Sequence, residues 1–350
     1  MVQPSIYHWS QLQVKKLTLN YIGSKIRLLP FLEESITQFI SGDLSEKVFC
    51  DLFAGTGTVG SYFKTRCKSI IANDLEYYSY VLNRNYIGNH KKVDSNEWLK
   101  ELEELKGKSG FIYMNYCKGG HGERNYFNNK NGKRIDAVRQ QIQIWKENEQ
   151  IDEDMYFFLL ATLLESADKI ANTASVYGAY LKSIKKIAAQ DLSIVPAIFE
   201  HTESEHKVYH GDANVVIKEV EGDILYLDPP YNSRQYGGNY HLLNTIAEYK
   251  TFEPKGVTGL PPYNRSTYSS RVYVKASFEE MIANAKFKYI FLSYNNEGLM
   301  SHKEISEILL KHGKVELKTQ KYKRFKADRT ENRNHGAIKT VEYLFCLEKK

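Results

Sequence analysis

The chain has 350 residues, of which 42% are hydrophobic and 26% are charged, and this composition predicts a soluble globular protein and excludes a disordered chain. Its four cysteines are widely separated, with no Cys-x-x-Cys pair and no histidine cluster at metal spacing, so the sequence predicts neither a zinc site nor a disulfide framework. We find no signal-like amino terminus and no run of about 18 apolar residues, which predicts a cytoplasmic protein without a membrane partner.

The positive charge of the chain is local. The net charge is +6, but the span from Lys311 to Lys339 contains ten Lys or Arg against three Asp or Glu and carries +7 by itself. The rest of the chain is therefore close to neutral. A field of this kind permits a polyanionic partner without requiring one.

The first predicted elements alternate between helix and strand. Residues 25–40 place apolar side chains at helical intervals, which predicts a helix with Pro30 in its first turn or at a kink. A buried strand, a glycine turn, a helix and a second strand are predicted at 48–53, 55–57, 59–66 and 69–74. This order is typical of the βαβ unit of an open parallel sheet.

Later apolar runs predict the remainder of a doubly wound α/β domain. Strands are predicted at 207–210, 224–227, 289–293 and 340–347, with helices between most of them. The stretch from 107 to about 150 is rich in Gly, Asn, Lys and Arg, and we interpret it as an insertion that ends in a helix at 135–145. A buried helix is predicted at 155–164.

A glycine-rich turn follows the first strand. The segment from Asp51 to Gly60, with Phe53, Gly55 and Gly57 inside it, matches Gly-x-Gly-x-x-Gly, in which glycines let the backbone approach a nucleotide closely. Asp74 ends the next strand, where a carboxylate can accept hydrogen bonds from two ribose hydroxyls. Taken alone, the motif favours a dinucleotide cofactor and leaves S-adenosylmethionine open.

The most specific motif is Asp228-Pro229-Pro230-Tyr231, at the carboxyl end of the apolar run 224–227. The carboxylate can accept an N–H, the two prolines fix a backbone carbonyl, and the tyrosine offers a face on which a flat base can stack. The combination indicates methylation of an exocyclic amino group. The alternative is a rigid turn that leaves the sheet.

Two further segments are candidates for the same site. Lys25, ahead of the first helix, could offset a carboxylate and Tyr21 could pack on a ligand, although a plain turn with a solvated lysine is the alternative. Asp212 also ends a strand, where it either caps the local turn or contacts the adenine of a cofactor.

Six motifs occur in the order Tyr21-Ile-Gly-Ser-Lys25, Asp51-x-Phe-x-Gly-x-Gly57, Asp74, Gly211-Asp212, Asp228-Pro-Pro-Tyr231 and Leu292-Ser-Tyr-Asn-Asn296. In residues and in order they resemble the Dam-like, alpha-class adenine-N6 DNA methyltransferases. The segment 228–243 is most similar to the subgroup that modifies short asymmetric sites beside type II restriction enzymes. The resemblance covers about 18–90 and 205–347.

This resemblance implies a Rossmann-like class I methyltransferase fold, with a catalytic domain in two parts (1–106 and 206–350) around an inserted helical and target-recognition region (107–205). It implies S-adenosylmethionine as cofactor and double-stranded DNA as substrate, with a cognate restriction endonuclease as a further candidate partner and an association with the bacterial nucleoid through DNA. The candidate cofactor residues are Tyr21, Lys25, Asp51, Phe53, Gly55, Gly57, Asp74, Asp212 and Asp228.

The implied catalytic residues are Asp228, Pro229, Pro230 and Tyr231. A flipped adenine would stack on Tyr231 while Asp228 and the carbonyl of Pro229 accept its two N–H bonds. Aspartate at the first position of this motif favours adenine over cytosine.

The candidates for DNA contact are basic. Arg124, Lys133 and Arg134 lie in the inserted stretch, and the loop 233–275 is a further candidate for reading bases. Lys323, Arg324 and Arg329 belong to a span that alternates cations with aromatic rings, for which a solvated hairpin is the alternative.

Three other functions remain open on the sequence. The first is the same chemistry on cytosine N4 or on RNA. The second is a catalytically inactive nucleic-acid-binding module, against which the intact Lys25, Asp74 and Asp228 argue. The third is a nicotinamide oxidoreductase, which has no need for Asp-Pro-Pro-Tyr.

Overall fold

The computed structural model describes residues 19, 21–40, 42–323 and 339–350. These residues form two compact units. We call the described residues of 22–76, 204–235 and 264–350 the sheet unit, and those up to 21, of 77–203 and of 236–263 the helical unit. The domain boundaries predicted from the sequence, after 106 and after 205, stay predictions.

The sheet unit contains a sheet of seven described strands in the order β3-β2-β1-β4-β5-β7-β6. The strands β1 to β5 pair in parallel, whereas β7 is antiparallel to both β5 and β6. The predicted doubly wound, mainly parallel sheet is confirmed. The strands are β1 (Val48–Asp51), β2 (Ser69–Asp74), β3 (Lys207–His210), β4 (Glu221–Leu227), β5 (Lys286–Asn295), β6 (Gly313–Lys323) and β7 (Lys339–Lys349).

Central and edge strands differ in composition because they differ in burial. In β2 the four inner residues are all buried, as expected for a parallel strand covered on both faces. The edge strand β6 carries lysines at 314, 318 and 321, and cations of this kind protect an exposed edge from pairing with another chain. We did not predict β6, because it lacks the apolar run on which the other strand predictions depended.

The described helices connect these strands or build the helical unit. Besides four short 3-10 or π turns, they are α1 (Leu29–Ile40), α2 (Thr58–Phe63), α3 (Tyr77–Asn83), α4 (Asn96–Glu104), α5 (Phe111–Tyr116), α6 (Asn129–Glu147), α7 (Glu153–Lys169), α8 (Ala213–Val216), α9 (Tyr236–Asn239), α10 (His241–Glu248), α11 (Val274–Asn284) and α12 (His302–Leu310).

Local sequence explains where several helices begin. Pro30 is the second residue of α1, where its missing N–H would have no partner in the helix anyway. Ser301 and Glu304 form a capping box at the start of α12. The side chain of Asp152 accepts the N–H of Met155 and caps α7.

The helical unit has its own core, which includes α6 and α7. The observed ranges of these two helices contain the helices predicted at 135–145 and 155–164. The side chains of α7 are buried on nearly all sides, which accounts for its continuous apolar sequence. Tyrosine rings make up much of this core, and the fully buried ones are Tyr78, Tyr116, Tyr126, Tyr177 and Tyr240. Within the described residues, none of the helices combines the length and apolar character that a membrane crossing requires.

Candidate active site

Three aspartates lie at the carboxyl ends of neighbouring strands in the sheet unit. Asp51 ends β1, Asp74 ends β2 and Asp228 follows β4. Because these strands are parallel, their carboxyl ends meet at one edge of the sheet, and the strand order reverses between β1 and β4. This switch point is where open α/β sheets bind ligands.

The glycine turn after β1 needs glycine at two positions. Gly55 and Gly57 have φ angles of 54° and 80°, in the left-handed region that side chains with a Cβ rarely adopt. The amide of Gly55 donates to Asp74 Oδ2 at 2.8 Å, and the amide of Glu76 donates to Asp74 Oδ1 at 2.9 Å. Asp74 therefore fixes the turn as well as facing the edge of the sheet.

Asp51 is a buried acid with an unused acceptor. Its side chain is 1% exposed, and its Oδ2 accepts the N–H of Gly60 at 3.0 Å. Within the described residues its other oxygen, Oδ1, is buried without a hydrogen-bond partner. Burial raises the pKa of Asp51 to about 8, against the opposing effect of the Gly60 bond and with a contribution from the charges of Asp228 and Asp74.

Lys25 connects two carboxylates in the interior of the sheet unit. Its ammonium lies 3.0 Å from Asp228 Oδ1 and 2.8 Å from Glu342 Oε1. Glu342 Oε1 also accepts a hydrogen bond from the hydroxyl of Ser293 at 2.7 Å. Burial by itself lowers the pKa of Lys25, but the two carboxylates outweigh burial and hold that pKa well above its ordinary value.

Lys25, Asp228 and Glu342 form an ion cluster, of which Asp228 is the most accessible member. Its side chain is 18% exposed, compared with 6% for Lys25 and 1% for Glu342. Burial raises the pKa of Asp228 to about 6, Lys25 opposes that rise, and Glu342 adds to it. Above that pH the carboxylate is an ionised hydrogen-bond acceptor that water can reach.

The remaining residues of the Asp-Pro-Pro-Tyr motif continue from this carboxylate. Pro229 is buried, whereas Pro230 and Tyr231 are half-buried. The carbonyl of Tyr231 accepts the N–H of Leu299 at 2.9 Å, which ties the motif to the segment after β5. The ring of Tyr231 packs against the core of the sheet unit, and burial raises the pKa of its hydroxyl.

Two further residues that the sequence predicts to bind the cofactor lie in the sheet unit, and each contacts other groups of the protein. Phe53 makes an edge-to-face contact with Tyr268, with ring centroids 4.9 Å apart. Asp212 is exposed, and its Oδ1 accepts the N–H of Asn214 at 2.8 Å as the cap of α8. This is the local cap that the sequence left as an alternative, and an adenine contact of Asp212 stays a prediction.

Tyr21 belongs to the helical unit. Its ring stacks on Tyr240 with centroids 4.7 Å apart, and its hydroxyl accepts a hydrogen bond from Tyr78 at 3.2 Å. The structure therefore brings Lys25, Asp51, Gly55, Gly57, Asp74, Asp228 and Tyr231 together in one unit, and it describes Tyr21 in the other.

The predicted DNA-binding residues of the insertion make internal contacts. Arg124 donates to the carbonyls of Asn115, Gly256 and Val257 at 2.9, 2.9 and 3.1 Å.

The two neighbouring candidates are similarly engaged. Arg134 donates to the carbonyls of Glu103 and Leu105 at 2.7 and 3.0 Å, and the ammonium of Lys133 lies 4.5 Å from the centre of the Tyr113 ring. Lys323 ends β6, but its side chain, Arg324 and Arg329 lie outside the described residues. DNA contacts of all these residues stay predictions.

Sequence reasoning did not identify Glu342, and it gave no role to Ser293, which lies in the motif Leu292-Ser-Tyr-Asn-Asn296. Glu342 comes early in β7, and because β7 runs antiparallel to β5, this part of β7 lies beside the carboxyl end of β5. The available signal was a single acid in the apolar run 340–347. An acid inside such a run needs a buried partner, but the sequence does not reveal that the partner is Lys25.

The sheet order and the acids at its switch point are typical of an α/β enzyme that binds its ligand at the carboxyl edge of β1, β2 and β4. Residues 21–308 match the family model described as D12 class N6 adenine-specific DNA methyltransferase. The chain belongs to this family, and it is an adenine-specific DNA methyltransferase. The resemblance and the enzyme class inferred from the sequence are confirmed, and a nicotinamide oxidoreductase is excluded.

Individual relatives support this assignment. The chain is 60% identical to type II methyltransferase M.NlaIII of Neisseria lactamica, over 95% of this chain and 99% of that protein. It is 37% identical to type II methyltransferase M.CviAII of Paramecium bursaria Chlorella virus 1, over 94% and 98%. It is 38% identical to type II methyltransferase M.FokI of Planomicrobium okeanokoites, over 95% of this chain but 53% of that protein, so it spans about half the length of this relative.

Proposed function

We propose that the chain is the modification enzyme of a type II restriction–modification system and transfers a methyl group from S-adenosylmethionine to the N6 amine of adenine in double-stranded DNA. The observation that carries the proposal is the position of Asp228, whose ionisable carboxylate follows β4 at the switch point and pairs with Lys25 at 3.0 Å. The 60% identity to a type II methyltransferase, over nearly the whole of both chains, supports the restriction–modification context.

The residues at this edge fit S-adenosylmethionine. Asp51 has a buried oxygen without a partner among the described residues, and such an acceptor is suited to a donor from a ligand. Asp74 and Asp228 lie at this same edge, and the ionised carboxylate of Asp228 favours a ligand with positive charge. When bound, the cofactor supplies a methyl group attached to a cationic sulfur.

Individual roles follow from residue chemistry. Asp51, Phe53, Gly55 and Gly57 would form the floor of the cofactor pocket, and Asp74 would accept hydrogen bonds from the ribose hydroxyls. Asp212 would contact the adenine of the cofactor. Lys25 would balance the carboxylates, and Tyr21 stays an assignment from the sequence alone.

Methyl transfer to an adenine amine has two obstacles. The lone pair of the amine is delocalised into the ring, and in a duplex the base is paired. Flipping the base out costs a few kcal/mol and allows Tyr231 to stack on its face. Asp228 and the carbonyl of Pro229 would then accept the two N–H bonds and draw the nitrogen toward tetrahedral geometry. Catalysis would depend on orientation and on the placement of charge.

An exposed segment of the helical unit is a better candidate for phosphate contact than Arg124, Lys133 and Arg134. Residues 182–187 are all exposed, and they include three lysines and no acid. The ammonium of Lys185 donates to the carbonyl of Thr173, which leaves Lys182 and Lys186 as the candidates. Lysines of this kind bind the phosphate backbone without reading sequence.

Replacing Asp228 tests the proposal. We expect Asp228→Ala to methylate duplex DNA at least about a hundredfold more slowly than the wild-type protein, because the amine loses the acceptor that activates it. The measurement is the amount of N6-methyladenine formed in unmethylated genomic DNA, determined by mass spectrometry after incubation with S-adenosylmethionine.

Asp223→Ala is the matched control. Asp223 lies in β4 at the opposite end from Asp228, and it is partly exposed beside Lys47. This variant should retain activity. Normal methylation by Asp228→Ala, or a product at cytosine N4, would contradict the proposal. Sequencing of methylated positions would show whether modification is confined to one short site, as a type II system requires.

A further inference from the structure

Glu342 is the member of the ion cluster that the proposed chemistry does not use. It lies in β7, is 1% exposed, and accepts hydrogen bonds from Lys25 at 2.8 Å and from Ser293 at 2.7 Å. A buried carboxylate is costly unless charged and hydrogen-bonding partners compensate it. These contacts stabilise the carboxylate of Glu342. They also mean that the ammonium of Lys25 is shared between Glu342 and Asp228.

One ammonium thus serves two carboxylates. With Lys25 positive and both acids ionised, the cluster has a formal charge of −1. If Lys25 and Asp228 were the only members, the ammonium would neutralise Asp228 and weaken it as an acceptor. A second carboxylate on the other side of the ammonium reduces that neutralisation.

We propose that Glu342 is a positioning residue that draws Lys25 toward β7 and so keeps Asp228 a strong acceptor for the target amine. This inference rests on the proposed function. Ser293, whose hydroxyl donates to the same oxygen of Glu342, holds the carboxylate in place.

The sign of the effect follows from the groups that face Asp228. These groups are Lys25, Asp51, Tyr226, Tyr231 and Glu342. Burial is the main cause of the raised pKa of Asp228, Lys25 lowers it, and the charge of Glu342 raises it. Removing that charge therefore lowers the pKa of Asp228 and makes its carboxylate a weaker base.

The first test measures Asp228 directly, without catalysis. The carboxyl carbon of Asp228 would be titrated by NMR in the cofactor-free protein, with its signal assigned by comparison with Asp228→Asn. We expect Glu342→Gln to move the midpoint of Asp228 to lower pH than in the wild-type protein. Glu348→Gln is the matched control, because Glu348 also lies in β7 and pairs with a lysine, Lys288, but is 43% exposed. It should leave the midpoint unchanged.

The second test measures the dependence of kcat/KM on pH. In the wild-type enzyme we expect kcat/KM to fall as pH decreases through about 6, because protonation of Asp228 in the free enzyme removes the hydrogen-bond acceptor. In Glu342→Gln this acid limb should move to lower pH, while the plateau falls on the order of tenfold because the acceptor is weaker. A residue that only supported folding would lower the plateau without moving the limb.

The outcomes separate this inference from the proposed function. An unshifted Asp228 midpoint in folded Glu342→Gln overturns the inference even when the wild-type protein methylates DNA normally. A shifted midpoint in a protein that methylates no adenine refutes the proposed function and leaves the electrostatic role of Glu342 in place. If Glu342→Gln does not fold, Glu342→Asp replaces it, and we expect a smaller shift in the same direction; no shift there overturns the inference.

Discussion

Asp51 shows how a single residue can couple ligand binding to stability. It retains a buried oxygen without a partner among the described residues, although an unsatisfied buried acceptor is destabilising. Its raised pKa reduces this cost, because the protonated form can be buried without charge. In the cofactor-free protein, Asp51 therefore prefers to hold a proton at neutral pH.

The pH dependence of stability should report this proton. The pKa of Asp51 is about 8 in the folded chain and 3.8 ordinarily, so its contribution to stability is present below about pH 4 and is lost as pH rises through 8. The asparagine of Asp51→Asn cannot titrate. We expect its free energy of unfolding to fall less steeply between pH 5 and 7.5, by about 1 kcal/mol per pH unit. Urea unfolding of both proteins without cofactor provides the measurement, and equal slopes would contradict the prediction.

At the scale of elements, Arg124 and the segment 182–187 differ in what their charges do. The guanidinium of Arg124 is occupied by three backbone carbonyls, and its main effect is to hold residues 256 and 257 near the end of α5. In the segment 182–187, the exposed Lys182 and Lys186 are available to an external anion. A basic side chain can therefore have different roles, depending on whether nearby backbone carbonyls need a hydrogen-bond donor.

Salt dependence of DNA binding distinguishes the two roles. The slope of log K for DNA binding against log salt concentration is negative. We expect the double variant Lys182→Ala/Lys186→Ala to reduce the magnitude of this slope by about 1 for each lysine, because each phosphate contact releases a counterion. Lys250→Ala is the control, since Lys250 is also an exposed lysine of the helical unit but lies 3.5 Å from Glu248. Fluorescence anisotropy with a labelled duplex at several salt concentrations gives the slopes. An unchanged slope in the double variant would remove this segment from the DNA interface.

The sequence predicted elements wherever the local pattern reflects burial. The strand at 69–74 has the predicted bounds, because a parallel strand covered on both faces leaves an apolar run between polar ends. The strand at 207–210 also has the predicted bounds, although it lies at the edge of the sheet and none of its residues is buried. The edge strand β6 was missed, because its pairing with β7 depends on distant backbone and not on its own apolar content.

The same limit applies to the site. The positions of Asp51, Asp74 and Asp228 at the carboxyl edge of the sheet could be predicted, because each lies at the carboxyl end of an apolar run. The pairing of Lys25 with Glu342 could not, because the two residues are 317 positions apart in sequence and meet through an antiparallel strand.

On the scale of the whole molecule, the described chain has two units with separate apolar cores. The candidate residues for the cofactor lie in the sheet unit, except for Tyr21. A ligand that binds only the folded state stabilises the regions that it contacts, and it stabilises other regions only as far as they unfold together with these.

Cofactor binding should therefore protect the sheet unit most strongly. At a concentration of S-adenosylmethionine one hundred times Kd, we expect the free energy of unfolding of the sheet unit to rise by about 2.7 kcal/mol. Hydrogen exchange read by mass spectrometry should slow in peptides that cover 48–63 and 224–232, and change less at the edge strand β6. Asp74→Ala, which removes the acceptor for the N–H of Gly55 and the proposed acceptor for the ribose, should abolish the cofactor-dependent slowing while retaining exchange protection in the helical unit. Two outcomes would mean that the cofactor binds outside the proposed site. One is equal slowing of hydrogen exchange in both units at low cofactor occupancy, and the other is cofactor-dependent slowing that persists in Asp74→Ala.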